Sequence, residues 1–297
     1  MAEIGFDLNH ANIKPGGLAS WKIKMGTDIG HYSFGPLRDG KVNVKTLFDA
    51  DGYGRQRPFA LDVNATAKTL NTGKTGVLEL LGKLGVTYAN QILAATNGQK
   101  YSGQLGFYWR LVCEGGMSKS RYLELFADGQ LMIDHATYDD LAVLLAASPT
   151  EGSPNGTDSM NGWDATTASR VPAAFKSVTI AVDGDSEDVG SIRNERLIIS
   201  GISSKDNYGR STVQKIQVEC EFDMRQTSAE LALMSAPAAG AGFAYAIALA
   251  DGAILTLSTD LGFHFEYDSL GSINDEAFIK VTGGGFVLPS AWAGIVS

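Results

Sequence analysis

Apolar and polar positions alternate along much of the chain, and this alternation predicts strands. In the segment Phe59–Ala67, the apolar side chains of Leu61, Val63 and Ala65 are each separated by one polar residue. A period of two is typical of a strand that buries one face and leaves the other in contact with water. Short runs of this kind recur in both halves of the sequence, so we expect a mainly β protein.

The pattern also repeats at long range. The segment Phe59–Ala67 aligns with Gln214–Phe222 at an offset of 155, with the apolar positions in the same phase. The tripeptide Tyr-Gly-Arg begins at Tyr53 and again at Tyr208, at the same offset. Further matches occur in the same order: Trp21–Met25 with Val178–Val182, Thr75–Leu84 with Thr227–Ala236, Leu105–Leu111 with Leu261–Tyr267, and Tyr122–Ile133 with Ala277–Leu288. The last of these matches again has an offset of 155. Such an ordered series predicts a duplicated domain.

The duplication divides the chain into four parts. These are an N-terminal arm at residues 1–17, a first β domain at 18–147, a linker at 148–170 and a second β domain at 171–297. The linker is rich in Ser, Gly, Thr, Asp and Pro, which is typical of connecting segments. Each domain is predicted to be a β-sandwich or barrel-like unit with one short α-helix, at Thr75–Leu84 and Thr227–Ala236.

Charge is distributed unevenly between the two halves. The 297 residues carry a net charge of −9, and residues 171–297 hold 16 Asp and Glu against 8 Lys and Arg. An acidic half argues against binding nucleic acid through its phosphates. No run of about 18 apolar residues occurs, and the N-terminus has no basic segment followed by an apolar one. We therefore expect neither a membrane span nor a secretory leader.

The sequence contains no combination of residues that indicates an enzyme. The four histidines are not spaced as metal ligands, and the two cysteines stand apart in strand-like runs. No nucleophile, dinucleotide or metalloprotease motif is present. We expect no catalytic residue, no cofactor and no metal, although the acidic cluster Asp183–Asp188 leaves a cation site open.

The repeated tripeptide is predicted to form the tip of a β-hairpin, because glycine and asparagine beside it tolerate the backbone of a tight turn. A bare turn needs neither tyrosine nor arginine. One interpretation is that each arginine pairs with a carboxylate of its own domain. The other, which we favour, is that Tyr53, Arg55, Tyr208 and Arg210 contact neighbouring subunits, since Tyr and Arg are enriched in interfaces.

Taken together, the duplicated β domain, the short helix in each copy, the long loop between the second and third strands and the acidic balance resemble the tail tube proteins of long-tailed bacteriophages. More narrowly, the chain looks like the tandem-domain members, in which one chain supplies two tube domains. The resemblance implies homo-oligomeric rings of three chains and six domains that stack into a tube, with the loops and the arm bridging rings. It also implies a virion protein of the tail, assembled in the host cytoplasm beside other tail proteins and away from membranes.

The resemblance further implies that inward-facing strands line a channel through which DNA passes without specific binding. The candidates for the lumen are the polar positions of the two matched strands: Asp62, Asn64, Gln217, Glu219, Glu221 and Asp223. An acidic lining would repel phosphates. The same alternation is equally typical of the solvated outer face of a sandwich.

Two other classes stay open. The first is a different β-rich virion protein, such as a decoration or tail-completion protein. The second is a two-domain module that binds a ligand or carbohydrate through aromatic residues such as Trp109, Trp163 and Trp292.

Overall fold

The computed structural model describes residues 17–25, 32–34, 37–69, 88–95, 100–132, 173–182, 185–189, 192–225, 243–249, 254–257, 262–267 and 278–290. Nearly all of them are in strands, so the mainly β prediction is confirmed. The predicted helices, the linker and all but the last residue of the predicted arm lie outside the described residues.

Fifteen strands are described, seven in the first copy and eight in the second. The first seven are β1 Leu18–Met25, β2 Tyr32–Ser33, β3 Leu37–Ala50, β4 Gln56–Thr69, β5 Tyr88–Ala95, β6 Lys100–Glu114 and β7 Tyr122–Met132. The others are β8 Phe175–Val182, β9 Asp185–Val189, β10 Arg193–Lys205, β11 Ser211–Arg225, β12 Phe243–Leu249, β13 Ile254–Leu257, β14 Gly262–Tyr267 and β15 Phe278–Val287.

The two copies have the same strand order. In the first copy β3, β4, β7 and β6 lie side by side, and in the second copy β10, β11, β15 and β14 do so. The strand β6 is long enough to belong to two layers, because its first part pairs with β5, which continues into β1 and β2. The second copy has the matching layer as a separate sheet in the order β13, β12, β8, β9.

Strand register supports the duplication residue by residue. Val44 faces Val63 across β3 and β4, and Ile199 faces Val218 across β10 and β11, which is an offset of 155 for both strands. Each strand pair therefore turns equivalent side chains to the same side.

The predicted offset of the last matched segment was wrong by one residue. Val63 faces Gly129 and Val218 faces Gly285, so β7 and β15 are related by 156 rather than 155. At 156, buried Leu125 corresponds to buried Val281; at 155 it would correspond to half-buried Lys280. A slip of one residue exchanges the two faces of a strand, and only 156 keeps the apolar positions in the core.

The two copies are joined within one continuous sheet. β6 of the first copy pairs with β10 of the second over five residues, from Glu114 opposite Arg196 to Arg110 opposite Ser200. All eleven strands of the larger sheet are thereby connected. The duplicated units share a sheet, which the alternating pattern alone did not predict.

The predicted core positions are buried as expected. Leu61, Val63 and Ala65 are at most 4% exposed, and their counterparts in β11 are buried in the same way. Trp109 is only 2% exposed and packs in the same core, so it cannot form part of an exposed aromatic platform. Trp163 and Trp292 lie outside the described residues.

Both cysteines are free and buried. Cys113 and Cys220 lie in β6 and β11, each opposite Leu197 of the intervening β10. One whole strand therefore separates the two thiols, and burial raises the pKa of the Cys220 thiol. They serve as small core side chains.

Candidate assembly interface

The first loop, residues 51–55, connects β3 to β4 and is organised by one carboxylate. Asp51 Oδ1 accepts hydrogen bonds from the backbone N–H groups of Tyr53 and Arg55, both at 2.9 Å. Arg55 Nε donates to Asp51 Oδ2 at 2.7 Å, and its guanidinium lies 5.3 Å from the centre of the Tyr53 ring. Gly54 has a φ of 75°, a left-handed conformation that glycine adopts without strain.

The second loop, residues 206–210, connects β10 to β11 and has the same hydrogen bonds. Asp206 Oδ1 accepts from the backbone of Tyr208 at 2.8 Å and of Arg210 at 2.9 Å, while Arg210 Nε donates to Oδ2 at 2.8 Å. Partial burial raises the pKa of Asp206, but the bonds from Arg210 and Tyr208 outweigh it and hold the pKa at about 2. In the first loop, the backbone N–H of Arg55 lowers the pKa of Asp51.

Both arginines therefore pair with a carboxylate of their own loop, as the first of the two sequence interpretations holds. The predicted hairpin tip is confirmed for both copies. A contact with a neighbouring subunit stays a prediction for Tyr53, Arg55, Tyr208 and Arg210. What distinguishes the two loops is their surroundings within the chain.

The second loop lies on the first copy, and we call this contact, together with the β6–β10 pairing, the internal junction. The backbone N–H of Gln130 donates to the carbonyl oxygen of Tyr208 at 2.9 Å. Arg210 Nη1 donates to Gln104 Oε1 at 3.0 Å. The second loop thus bonds to the start of β6 and to the end of β7.

A buried carboxylate holds the internal junction together. Asp128 of β7 is 5% exposed. Its Oδ1 accepts from the backbone N–H of Ser211 at 2.7 Å, its Oδ2 accepts from the Ser211 hydroxyl at 2.6 Å, and Lys205 Nζ lies 3.4 Å from Oδ2. Hydrogen bonds to a charged acceptor are among the stronger ones, so these three contacts anchor the second hairpin.

Two glycines make room for the hairpin on the first copy. A Cβ on Gly106 would lie 2.3 Å from the backbone nitrogen of Ser211, and one on Gly129 would lie 2.5 Å from Arg210 Cγ. No side chain fits at either position without moving the second loop. The duplication retains glycine at both counterparts, Gly262 and Gly285.

The first loop has no such neighbour among the described residues. Tyr53 is 87% exposed, against 49% for Tyr208. The outer edges of the sheet are also unpaired in the described part of the chain, since β3 pairs only with β4 and β14 only with β15. These two edges are the counterparts of β10 and β6, which pair with each other inside the chain.

The lumen candidates share one face of the sheet, opposite the core. Asp62 and Asn64 are exposed, and the other four are half-buried. Three of their four acidic members have basic partners on adjacent strands: Glu219 with Arg196 at 3.4 Å, Glu221 with Lys280 at 3.0 Å and Asp223 with Arg193 at 3.2 Å. The face is therefore mixed in charge, and its place in a lumen stays a prediction; charge along one strand does not reveal the charges that face it from the next.

Clusters of metal-ligating side chains and membrane-spanning helices are both absent from the described part of the chain. No three His, Cys, Asp or Glu side chains are grouped there as metal ligands. No helix there is long and apolar enough to cross a membrane. Of the histidines only His264, in β14, is described, and Asp183 of the acidic cluster is not. The sequence matches no protein-family model and no curated protein.

Sequence reasoning missed the residues that receive the second loop, namely Gln104, Gly106, Asp128 and Gly129. The one available signal was the pair of glycines at equivalent positions of both copies. Asp128 has no counterpart of the same type, since Gly284 stands at its place. Its role depends on a partner 83 residues away.

Proposed function

We propose that this chain is a tail tube subunit of a long-tailed bacteriophage, which assembles with further copies of itself into rings that stack around a DNA channel. The proposal combines the resemblance of the duplicated sequence with the way in which the two copies are joined. Assembly is the function; no catalytic step is involved.

The internal junction is the observation that carries the proposal. β6 of one copy pairs with β10 of the next, while among the described strands their counterparts β14 and β3 each have one edge without a partner. Exposed edges of this kind are open to pairing with another chain. If β14 of one chain pairs with β3 of the next chain, the same head-to-tail contact is repeated between molecules.

The edges are compatible with the register of the internal junction. Transferring the pairs Ile199–Leu111 and Ser200–Arg110 by the repeat offsets places Val44 opposite Tyr267 and Lys45 opposite Glu266 of the next chain. Opposite charges and an aromatic residue beside a β-branched one both stabilise neighbouring strands. A head-to-tail contact closes into a ring when the rotation between neighbours is a whole fraction of 360°. A ring of six domains then contains three chains.

The polar face carrying Asp62, Asn64, Gln217, Glu219, Glu221 and Asp223 is the surface that we assign to the lumen. Glu219, Glu221 and Asp223 pair with Arg or Lys of adjacent strands, and Lys45 lies opposite Asp62 in the strand register, so basic groups on this face are interspersed with acidic ones. DNA can slide past such a surface because continuous basic contacts are what produce tight nonspecific binding.

Negative-stain electron microscopy of the concentrated protein, with light scattering across a dilution series, tests the proposal. We expect rings or tubes with six lobes around a central hole, and a mass that rises with concentration towards three chains or a multiple of three. A strictly monomeric protein at every concentration, together with an absence of tubes built from this chain in purified virions, contradicts it.

A further inference from the structure

Four large apolar side chains are exposed at the two outer ends of the sheet. Phe48 and Tyr53 belong to the hairpin of β3 and β4 and are 54% and 87% exposed. Phe286 and Leu288, at the end of β15, are 55% and 59% exposed. Neighbouring exposed apolar side chains, here two at each end, are typical of interaction surfaces.

These four residues occupy the positions that correspond to the internal junction. Phe286 and Leu288 are the counterparts of Gln130 and Met132, which line the pocket beside Tyr208. On the hairpin side, Phe48 corresponds to Ser203 and Tyr53 to Tyr208. The outer surfaces therefore repeat the geometry of the internal junction but with more apolar side chains.

The polar anchor of the internal junction is absent from the outer surfaces. Its three members are Asp128, Lys205 and Ser211. Their counterparts are Gly284, Ala50 and Gln56. The carboxylate, the cation and the hydroxyl have all been replaced. Each hairpin therefore fits only one of the two docking surfaces, either the one on the first copy or the one on the second.

We propose that Phe286 and Leu288 form the acceptor for the Phe48–Tyr53 hairpin of a second copy of this chain. The backbone N–H of Phe286 bonds to the carbonyl oxygen of Tyr53, as that of Gln130 bonds to Tyr208 inside the chain. Gly285 leaves room for Arg55, as Gly129 does for Arg210. This inference rests on the head-to-tail contact of the proposed function and names the surfaces that make it.

The difference between the polar anchor of the internal junction and its counterparts on the outer surfaces determines the order of domains around an assembly. If the first hairpin lay on the first copy, Asp128 would be buried without the lysine and the hydroxyl that satisfy it, which is costly. If the second hairpin lay on the second copy, Lys205 would find no carboxylate at Gly284. Internal and intermolecular junctions must therefore alternate, which is specificity achieved by excluding the wrong pairing.

Disulfide trapping between two variants tests the contact. Chains carrying Tyr53→Cys are mixed with chains carrying Phe286→Cys under mild oxidation, against a background of native cysteines that are buried. We expect a disulfide-linked dimer that forms only when both variants are present, because adjacent hydrogen-bonded backbones bring the two Cβ atoms within disulfide range. The matched control is Tyr208→Cys with Gln130→Cys in one chain, which should close within the monomer.

A second measurement tests whether the side chains of Phe286 and Leu288 stabilise the contact or merely lie near it. Phe286→Ala with Leu288→Ala should weaken self-association at least tenfold in sedimentation or light scattering, while the circular dichroism spectrum is unchanged because both side chains are exposed. Met117→Ala is the control. Met117 is an apolar side chain that is 76% exposed, and it lies in the turn between β6 and β7 and not on β15.

The outcomes distinguish this inference from the proposed function. Tubes that form without the Tyr53–Phe286 disulfide, or that tolerate the double alanine variant, overturn the docking site and leave the tail tube proposal standing. A specific disulfide in a protein that never forms rings or tubes supports the docking site and overturns the tube proposal.

Discussion

At the scale of the residue, the repeated Tyr-Gly-Arg is explained first by the loop that contains it. Asp51 and Asp206 each accept two backbone N–H bonds and one arginine Nε–H bond, and each arginine lies near the tyrosine ring of its own loop. The aspartate, the glycine and the arginine are all needed for this shape, so a duplicated domain retains them together. In the assembly that we propose, the intermolecular contact would use a loop that is already ordered.

The pKa of Asp206 gives a prediction at this scale. Its carboxyl should titrate at about 2, below the ordinary value of 3.8, because it accepts hydrogen bonds from Arg210 and Tyr208. A lowered pKa means that the loop is fully stabilised above pH about 4 and loses this stabilisation as the pH falls through about 2. NMR titration of the side-chain carboxyl measures the value.

The matched variant for that titration is Arg210→Ala. Removing the guanidinium should raise the pKa of Asp206 towards 3.8, since one hydrogen bond and one positive charge are lost. A value that is the same in both proteins would show that the arginine does not stabilise the carboxylate.

At the scale of the element, β6 determines how the two copies meet. It pairs with β5, β7 and β10 along different parts of its length, so both of its edges are used. Gly106 lies where β5 and β7 overlap on it, and the backbone of Ser211 passes directly over this glycine. The close approach of β11 therefore depends on the absence of one side chain.

Gly106→Ala should destabilise the chain through the internal junction. The added Cβ would lie 2.3 Å from the nitrogen of Ser211, so the second hairpin must shift and its bonds to Asp128 must weaken. We expect a loss of about 1–3 kcal/mol in the free energy of unfolding, the usual cost of an extra methyl group in a packed site. Urea denaturation measures it.

Gly52→Ala serves as the control for that experiment, because no atom lies within 4 Å of its added Cβ. It should change the stability by less than about 0.5 kcal/mol, as exposed substitutions usually do. Equal stability of the Gly106 and Gly52 variants would mean that the hairpin does not need its close approach to β6.

At the scale of the whole molecule, the polar face of the sheet is continuous over both copies. Its acidic side chains face basic ones across strands, for example Glu124 with Arg110 at 2.7 Å in the first copy and Glu221 with Lys280 at 3.0 Å in the second. Exposed ion pairs of this kind contribute little to stability. Their main effect here is electrostatic, because each pair places a positive charge beside an acidic side chain of the face.

Reversing charge on this face tests whether it lines the channel. Glu219→Lys with Glu221→Lys changes the net charge by +4 per chain and should leave the tubes intact, since ion pairs that are partly open to solvent contribute little to stability. DNA ejection from virions with this variant should be slower, and more so at low salt, where screening is weak. Glu219→Gln with Glu221→Gln is the control for loss of the ion pairs alone. Ejection at the normal rate at every salt concentration would place this face outside the channel.

Several features could be predicted from the sequence because they depend on neighbouring residues. The buried and exposed positions of β4 and β11 follow from a period of two, and the hairpin tips follow from glycine, asparagine and aspartate at the turns. The one-residue error at β15 arose where its glycine run weakens the alternation. The basic partners of Glu219, Glu221 and Asp223 lie on other strands and left no mark on the local pattern.

The sequence alone determined the strand faces, the duplication and the two self-organised loops, because each is encoded in residues that are close together or that recur at a fixed offset. The tertiary structure alone decided that the second loop rests on the first copy, that Asp128 receives Ser211 from 83 residues away and that Arg210 reaches Gln104 from 106 residues away. It also decided that β3 and β14 remain as unpaired edges of the described sheet. Pairing across such separations depends on which strands become neighbours, and folding determines this through the shape and packing of the complete sheet.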